Sequence, residues 1–289
     1  MAGIFSGLEK LGLGNIGGGS LFEDPKKKET VVKKEPPKPK LVLANEADFL
    51  FAKKYTCPVC DMEFEAKTVR TGKVRIKSVD IDLRPEYDEM DMNKYDVLGC
   101  PRCGYAALTR YFGKLTKYQI EDIRTNICMN YTGKENKDDI ITYEHAKQLY
   151  QLALANAVVK KAKNSEKAYI CLKYAWVVRG DTQNLDPAES GYDAKKSAND
   201  AQEKELLNNA LDGFILARQS EQFPIAGMDT ITLDYLMAAL AVEVERNDIA
   251  KRMIGELLVS RVANSRIKDK ARKLKEILAL KNVIVEEPT

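Results

Sequence analysis

The chain has 289 residues, enough for one large or two ordinary domains, and 44% of them are hydrophobic. Lys and Arg number 46 against 43 Asp and Glu, so the net charge is only +3, and this balance gives no reason to expect nucleic acid or an anionic membrane as an obligatory partner. No run approaches the roughly 20 apolar residues that cross a bilayer. The N-terminus also lacks the basic start and unbroken apolar core of a signal peptide, so we expect a cytoplasmic protein with reduced thiols.

Residues 1–43 are predicted to be a flexible N-terminal tail followed by a linker. Within 1–19, four apolar residues share one helical face between many glycines: Ile4, Phe5, Leu8 and Leu11. Two interpretations stay open: a frayed tail, or a peptide that folds against a partner, another copy or a membrane surface. Residues 23–40 are rich in lysine and proline, which predicts an extended spacer rather than a polyanion site, since acids are interleaved and aromatics are missing.

Two Cys-Pro-x-Cys turns are the most informative motif. Cys57-Pro-Val-Cys60 and Cys100-Pro-Arg-Cys103 each place two thiols where they can bind one cation. Brought face to face, such turns (knuckles) form the tetrahedral four-sulfur site that zinc prefers. We therefore predict Cys57, Cys60, Cys100 and Cys103 as the ligands of one structural Zn²⁺ per chain.

Other roles for these cysteines were weighed against a structural zinc. Core thiols without a metal would not require two paired turns, and a redox role is disfavoured by the proline in each turn and the duplicated pair. A catalytic zinc keeps an open position and commonly uses histidine or carboxylate, whereas four thiolates close the shell. The sole histidine, His145, has no nucleophile partner in a recognisable motif and is predicted to be a partly exposed residue in the first turn of a helix. No catalytic or cofactor-binding residue is predicted.

Two further cysteines lie in helix-like stretches, Cys128 and Cys171. With no export signal to suggest an oxidising compartment, we expect both to be buried and to pack as small hydrophobic residues rather than to form a disulfide or redox pair.

Residues 44–112 are predicted to form a small zinc-ribbon-like β module. The pattern favours strands at Phe64–Val69 and Lys73–Val79, joined by a turn at Thr71-Gly72, with one face of the second strand buried. A short strand at Tyr95–Gly99 would then deliver the second Cys pair.

Two charged stretches of this module suggest alternative functions. The acids Asp80, Asp82 and Asp88 could bind a divalent ion or act as acid and base, although a solvated loop is the simpler interpretation. Four basic residues in and just before the second predicted strand could form a basic strand face that contacts nucleic acid: Arg70, Lys73, Arg75 and Lys77. There is no phosphate-binding glycine motif.

Residues 113–289 are predicted to be all-α. Thr116 with Gln119 forms a capping-box pattern, and Thr142 starts a second helix. A third helix is predicted from Ser165 to Gly180, followed by a loop over 181–192. Further helices are predicted over 193–219, 229–245, 248–262 and 266–280. Short antiparallel helix pairs of this kind are typical of tetratricopeptide-like arrays, although no fixed repeat period is present. The predicted fold class is therefore α+β: a small zinc-ribbon-like β module with four cysteine ligands, followed by an all-α domain of helical hairpins.

The knuckle module resembles a bacterial family catalogued as domain of unknown function 2225. The resemblance covers about 46–280 and rests on four stretches: Tyr55–Cys60, Lys73–Asp80, Asp82–Tyr87 and Tyr95–Ala106. The resemblance implies a cytoplasmic bacterial protein with an N-terminal zinc module and a tetratricopeptide-like C-terminal domain. It does not imply any enzymatic reaction.

These observations predict a non-enzymatic interaction or scaffold protein that binds a protein or peptide through the helical domain or the apolar tail. A nucleic-acid-binding regulator that uses the basic strand face is the first alternative. An enzyme with a site in the acidic segment is the second.

Overall fold

The computed structural model describes residues 12, 46–133 and 138–286. Over these ranges, small antiparallel strand pairs near the N-terminus are followed by seven α-helices, which confirms the α+β prediction. The expectations for residues 1–19 and 23–40 lie outside the described residues, apart from Gly12.

Six strands form three antiparallel pairs within the described ranges, each a two-stranded sheet. Their bounds in chain order are β1 Leu50–Thr56, β2 Glu63–Val69, β3 Ile76–Val79, β4 Pro85–Tyr87, β5 Val97–Gly99 and β6 Ala106–Leu108. The pairs are β1 with β2, β3 with β4, and β5 with β6. The first and third pairs each enclose one Cys-Pro-x-Cys turn.

The predicted hairpin around Thr71-Gly72 was wrong. Thr71–Lys73 is a 3₁₀ turn, and the strand before it pairs backward with β1 instead of forward with β3. The knuckle between β1 and β2 makes this backward pairing local and short. The predicted buried face of the next strand was also wrong, because all four residues of β3 are exposed and Ile76 is 61% accessible.

The helices follow the predicted order closely. Their bounds are α1 Lys117–Ile123, α2 Tyr143–Val159, α3 Asn164–Gln183, α4 Tyr192–Ser220, α5 Thr230–Glu243, α6 Asn247–Val259 and α7 Ser265–Glu286. Thr116 and Gln119 form both bonds of a capping box at α1, and the Thr142 side chain caps α2. A π-helical turn, Arg124–Cys128, continues α1.

Gly180 does not end the third helix, contrary to the prediction. The helix continues to Gln183, and a Cβ built at Gly180 would lie 2.5 Å from a carboxylate oxygen of Asp91 and 2.9 Å from the Tyr143 ring. The glycine is therefore required for close approach of the strand module to the helix rather than for termination.

Consecutive helices pack on one another, and α2 also packs on β5 and β6. One continuous buried cluster contains cysteines of both knuckles together with helical residues, including Cys57, Tyr105, Tyr150 and Phe214. The boundary between residues 112 and 113 stays a prediction, and both sides of it contribute to this core. Within the described ranges, none of the helices combines the length and apolar character needed to cross a bilayer.

Candidate metal centre

The two cysteine turns have the same backbone geometry. In the first, the Cys57 N–H donates to the Met62 carbonyl at 2.9 Å and the Asp61 N–H donates to the Cys57 carbonyl at 2.9 Å. In the second, the Cys100 N–H donates to the Tyr105 carbonyl at 2.8 Å and the Gly104 N–H donates to the Cys100 carbonyl at 3.1 Å. Each pair of thiols is thus fixed by its own short hairpin.

The residue after each pair adopts a left-handed conformation, which closes the turn. Gly104 has φ +73° and meets no steric penalty, whereas Asp61 has φ 56° and is of a residue type that tolerates this region. A Cβ at Gly104 would also lie 2.4 Å from the Tyr131 ring, so the glycine serves both backbone conformation and packing.

The four predicted ligands converge on one point. Sγ of Cys57 lies 3.6 Å from Sγ of Cys103, Sγ of Cys60 lies 3.6 Å from Sγ of Cys100, and all four sulfurs lie within 4.8 Å of one another. A tetrahedral zinc with Zn–S bonds of about 2.3 Å separates its sulfurs by about 3.8 Å. The donor set and its spacing therefore fit a tetrahedral metal ion. Four thiolates in this arrangement can bind either zinc or iron.

The thiols contact one another in pairs, Cys57 with Cys103 and Cys60 with Cys100, so the ionisation of each depends on its neighbours. Thiol hydrogen bonds from Cys103 and Cys57 lower the pKa of Cys100 to about 2. The hydrogen bond with Cys100 is the main cause that raises the pKa of Cys57 to about 12. Without a metal ion, a thiolate is stabilised by hydrogen bonds from neighbouring thiols. Those neighbours must keep their protons to donate, so the four cysteines cannot all ionise together. A divalent cation would replace those protons and stabilise all four thiolates.

The helices hold both turns from outside. Arg124 in the π-helical turn donates from Nη2 and Nε to the Val59 carbonyl, at 2.7 and 3.1 Å. Asn156 of α2 is fully buried and donates from Nδ2 to the Gly104 carbonyl at 2.9 Å. Such outer contacts orient metal ligands and tune their affinity.

Aromatic rings pack beside the cluster. Phe112 lies between Tyr105 and Phe64, with ring centroids 5.0 and 5.9 Å away, and the Tyr105 hydroxyl donates to the Phe112 carbonyl at 2.8 Å. This packing excludes water from one side of the sulfurs, and Cys57, Cys100 and Cys103 are buried.

A fifth thiol lies against the cluster, which the sequence pattern did not reveal. Cys128 is half-buried and packs against the core that contains the cluster, so the expectation of a buried small hydrophobic residue holds only in part, and its interaction with Cys103 lowers its pKa. Cys128 lies at the end of the π-helical turn, and no local sequence pattern predicted that turn. Cys171 is fully buried in α3 as expected, and burial raises its pKa to about 12.

His145 is half-buried in the first turn of α2, and its N–H donates to the Thr142 side chain. Burial lowers its pKa, and Asp138 opposes that shift. This position agrees with the prediction of a helix-start residue.

The acidic segment is not a solvated loop, so that expectation was wrong for Asp82. Asp82 is fully buried and accepts a hydrogen bond from Trp176 Nε1 at 2.8 Å. Asp88 is exposed, and its backbone N–H donates to the Arg75 carbonyl. The three predicted acids therefore do not converge on one ion or substrate.

A buried ionic network surrounds Arg179 of α3. Its guanidinium contacts Asp80 and Asp82 at 3.0 Å, Glu203 at 2.7 Å and Glu243 at 2.9 Å. The partners come from the β3–β4 connection, from α4 and from the end of α5. Local sequence reasoning missed this network, because its members lie far apart in the chain and only charge complementarity links them.

The basic residues Arg70, Lys73, Arg75 and Lys77 are exposed, but they do not form one strand face, because only Lys77 lies in β3. Arg70 donates to the Leu50 carbonyl and lies 5.2 Å from the Phe51 ring. An acid lies beside Arg75, whose N–H donates to a carboxylate oxygen of Glu89 at 3.0 Å.

The comparison with known protein families supplies the remaining context. The model of the family described as "Uncharacterized protein conserved in bacteria (DUF2225)" matches residues 50–278, well over half of the chain. The chain belongs to this family. The match includes both knuckles and all the described helices except the end of α7. No curated protein and no solved structure matches the chain.

Proposed function

We propose that this protein is a non-enzymatic interaction or scaffold protein in which Cys57, Cys60, Cys100 and Cys103 hold one structural Zn²⁺. The observation that supports this proposal is the closed set of four sulfurs, all within 4.8 Å of one another and fixed by two hairpins of the same geometry. Zinc bound by four thiolates has no open position for a substrate, and its binding energy stabilises the fold.

The helical array is the proposed interaction surface. A shallow depression lies where the α2–α3 turn meets the end of α4, lined by Ala162, Lys163, Asn164, Ser220, Glu221 and Gln222. Neither the four predicted metal ligands nor Asp80, Asp82 and Asp88 line it. A protein or peptide partner in a cytoplasmic setting is the simplest use of such a surface, and the packing of successive helices on one another supports that proposal.

Metal analysis of the full-length protein tests the site. We expect one zinc per chain in protein purified without added metal. We expect Cys57→Ser and Cys100→Ser to lose that zinc, whereas Cys171→Ser, a buried cysteine outside the cluster, retains it. One iron per chain would correct the identity of the metal, and a metal-free wild-type protein would contradict the site.

Cross-linking and co-purification of the intact protein from its native host test the scaffold role. We expect the wild type to recover a partner reproducibly. The variant Lys163→Glu with Gln222→Lys, which alters the depression and should leave the cysteine turns folded, should not recover that partner. Turnover of a metabolite by the purified protein, with no partner recovered, would contradict a non-enzymatic role.

A further inference from the structure

The near-neutral net charge of the chain hides a strong local asymmetry. Residues 247–281, here named the terminal hairpin, comprise α6, the connection after it and most of α7. This segment contains ten Lys and Arg against four Asp and Glu, a net charge of +6, although the whole chain carries only +3. The rest of the chain is therefore net acidic, and the terminal hairpin is its basic pole.

Most of this charge faces solvent. Seven of the ten basic residues are exposed: Lys251, Arg252, Arg261, Arg266, Arg272, Lys273 and Lys275. Among these seven, Arg272 forms an ion pair with Asp269 of the same helix. Arg266, Lys270 and Lys273 follow the spacing that places side chains on one face of a helix. The pKa of Lys270 is lowered by burial first and then by the charges of Arg266 and Lys273.

Exposed apolar side chains accompany the cations. Val259 ends α6 and is 80% accessible, and Val262 in the connection is 81% accessible, with Arg261 between them in sequence. Leu280 on α7 is 66% accessible. Cations that surround protruding aliphatic side chains can bind phosphate headgroups while the aliphatic groups enter the layer beneath.

We propose that the terminal hairpin docks on an anionic phospholipid surface. Its basic residues would contact lipid phosphates, and Val259 and Val262 would insert between the headgroups. Nucleic acid fits less well, because residues 247–281 contain no Phe, Tyr or Trp on which bases could stack. An acidic peptide also fits less well, because exposed aliphatic side chains accompany the cations and a purely ionic partner would leave them in water. The proposal goes beyond the scaffold role and does not depend on the metal.

Vesicle co-sedimentation of the full-length protein tests the proposal. We expect binding to vesicles that contain phosphatidylglycerol, no binding to pure phosphatidylcholine, and progressive release as salt is raised. Reversing three exposed charges, in Arg266→Glu with Lys273→Glu and Lys275→Glu, should weaken binding on the order of 100-fold, because each basic residue near an anionic surface contributes about a factor of five. Val259→Ser with Val262→Ser should weaken binding several-fold and leave its salt dependence unchanged.

Two matched variants control for net charge and for the N-terminal tail. Lys54→Glu with Lys73→Glu and Lys77→Glu makes the same change in net charge at exposed positions of the strand module. Phe5→Ser with Leu8→Ser removes apolar residues from the tail. Both variants should bind vesicles nearly as well as the wild type does, provided that all variants show the same circular dichroism spectrum.

Three results would overturn the proposal. The first is an absence of vesicle binding at low salt. The second is equal loss in the hairpin and strand-module variants, or a loss found only in the tail variant. The third is tighter binding to an RNA or DNA oligonucleotide than to the anionic vesicles at the same salt, which would make nucleic acid the partner.

Discussion

The cysteine cluster and the Arg179 network both join the strand module to the helices, and both gather several potential anions. At the Arg179 network the chain supplies its own cation, since one guanidinium contacts four carboxylates within 3.0 Å. At the cysteine cluster, Arg124 binds a backbone carbonyl instead of a sulfur. The four carboxylates thus share a cation that the chain itself supplies, whereas a cation for four thiolates would have to come from solution.

The largest expected effect comes from removing one metal ligand. Cys100→Ser should lose the metal and lower the free energy of unfolding by about 4 kcal/mol or more, because structural metal binding contributes directly to folding. Chemical denaturation with parallel metal analysis would measure both quantities. Cys171→Ser is the matched control, and we expect a smaller loss of stability with full metal content. Equal stability of Cys100→Ser and the wild type would contradict a stabilising metal at the cysteine cluster.

The second largest effect should come from removing the internal cation. Arg179→Met leaves four buried or half-buried carboxylates without their common partner and should cost about 3–5 kcal/mol. Metal content per folded chain should not change. Unchanged stability of Arg179→Met, measured by urea denaturation, would contradict the network's role.

The pH dependence of stability should reveal the contribution of Glu243, a member of the Arg179 network. Burial raises the pKa of Glu243 to about 8, with Arg179 opposing the shift and Asp82 and Glu203 adding to it. The folded state thus retains a proton that the unfolded state loses near its ordinary pKa of 4.5, so this group's contribution is full below about pH 4.5 and is lost as pH rises to about 8.

The slope from this group can reach about 1.4 kcal/mol per pH unit. Glu243→Gln should abolish it, and the difference between wild type and variant, with zinc held in excess, isolates the contribution of the glutamate. His145 contributes in the opposite sense, since burial lowers its pKa, so His145→Asn serves as a control. Identical pH profiles for wild type and Glu243→Gln would contradict the raised pKa.

The smallest expected effect concerns the outer contacts of the metal centre. Arg124→Gln removes the two donors to the Val59 carbonyl and should weaken metal affinity by about 10-fold, since outer contacts of this kind orient the ligands. Arg102→Gln, which alters an exposed arginine inside the other knuckle, should leave the affinity unchanged. Competition with a zinc-binding dye would measure both. Equal affinities of the two variants would remove Arg124 from the account.

The sequence predicted those features that are encoded locally. The two Cys-Pro-x-Cys turns, the caps at Thr116 and Thr142 and the succession of helices each depend on spacings of a few residues, and the structure contains them. Whether the cysteines bind zinc stays a prediction.

Features formed by distant partners were not predictable from local patterns. Arg179 meets Asp80 across 99 residues, and Gly180 looked like a helix end only because Asp91 and Tyr143, which it accommodates, are far away in sequence. The prediction that β2 pairs with β3 was wrong for a related reason, since alternation of apolar and polar residues indicates a strand but not its partner. Cys128 was not assigned to the cluster because it lies in a π-helical turn, which no short sequence spacing indicates.

X-ray absorption at the metal edge of the purified full-length protein would measure the ligands of the predicted four-cysteine site. Four sulfur neighbours at about 2.3 Å around one zinc per chain would agree with a closed structural site. A shell with fewer than four sulfurs and an oxygen or nitrogen ligand would contradict it, because that zinc would have an exchangeable position and the case for a non-enzymatic protein would lose its support.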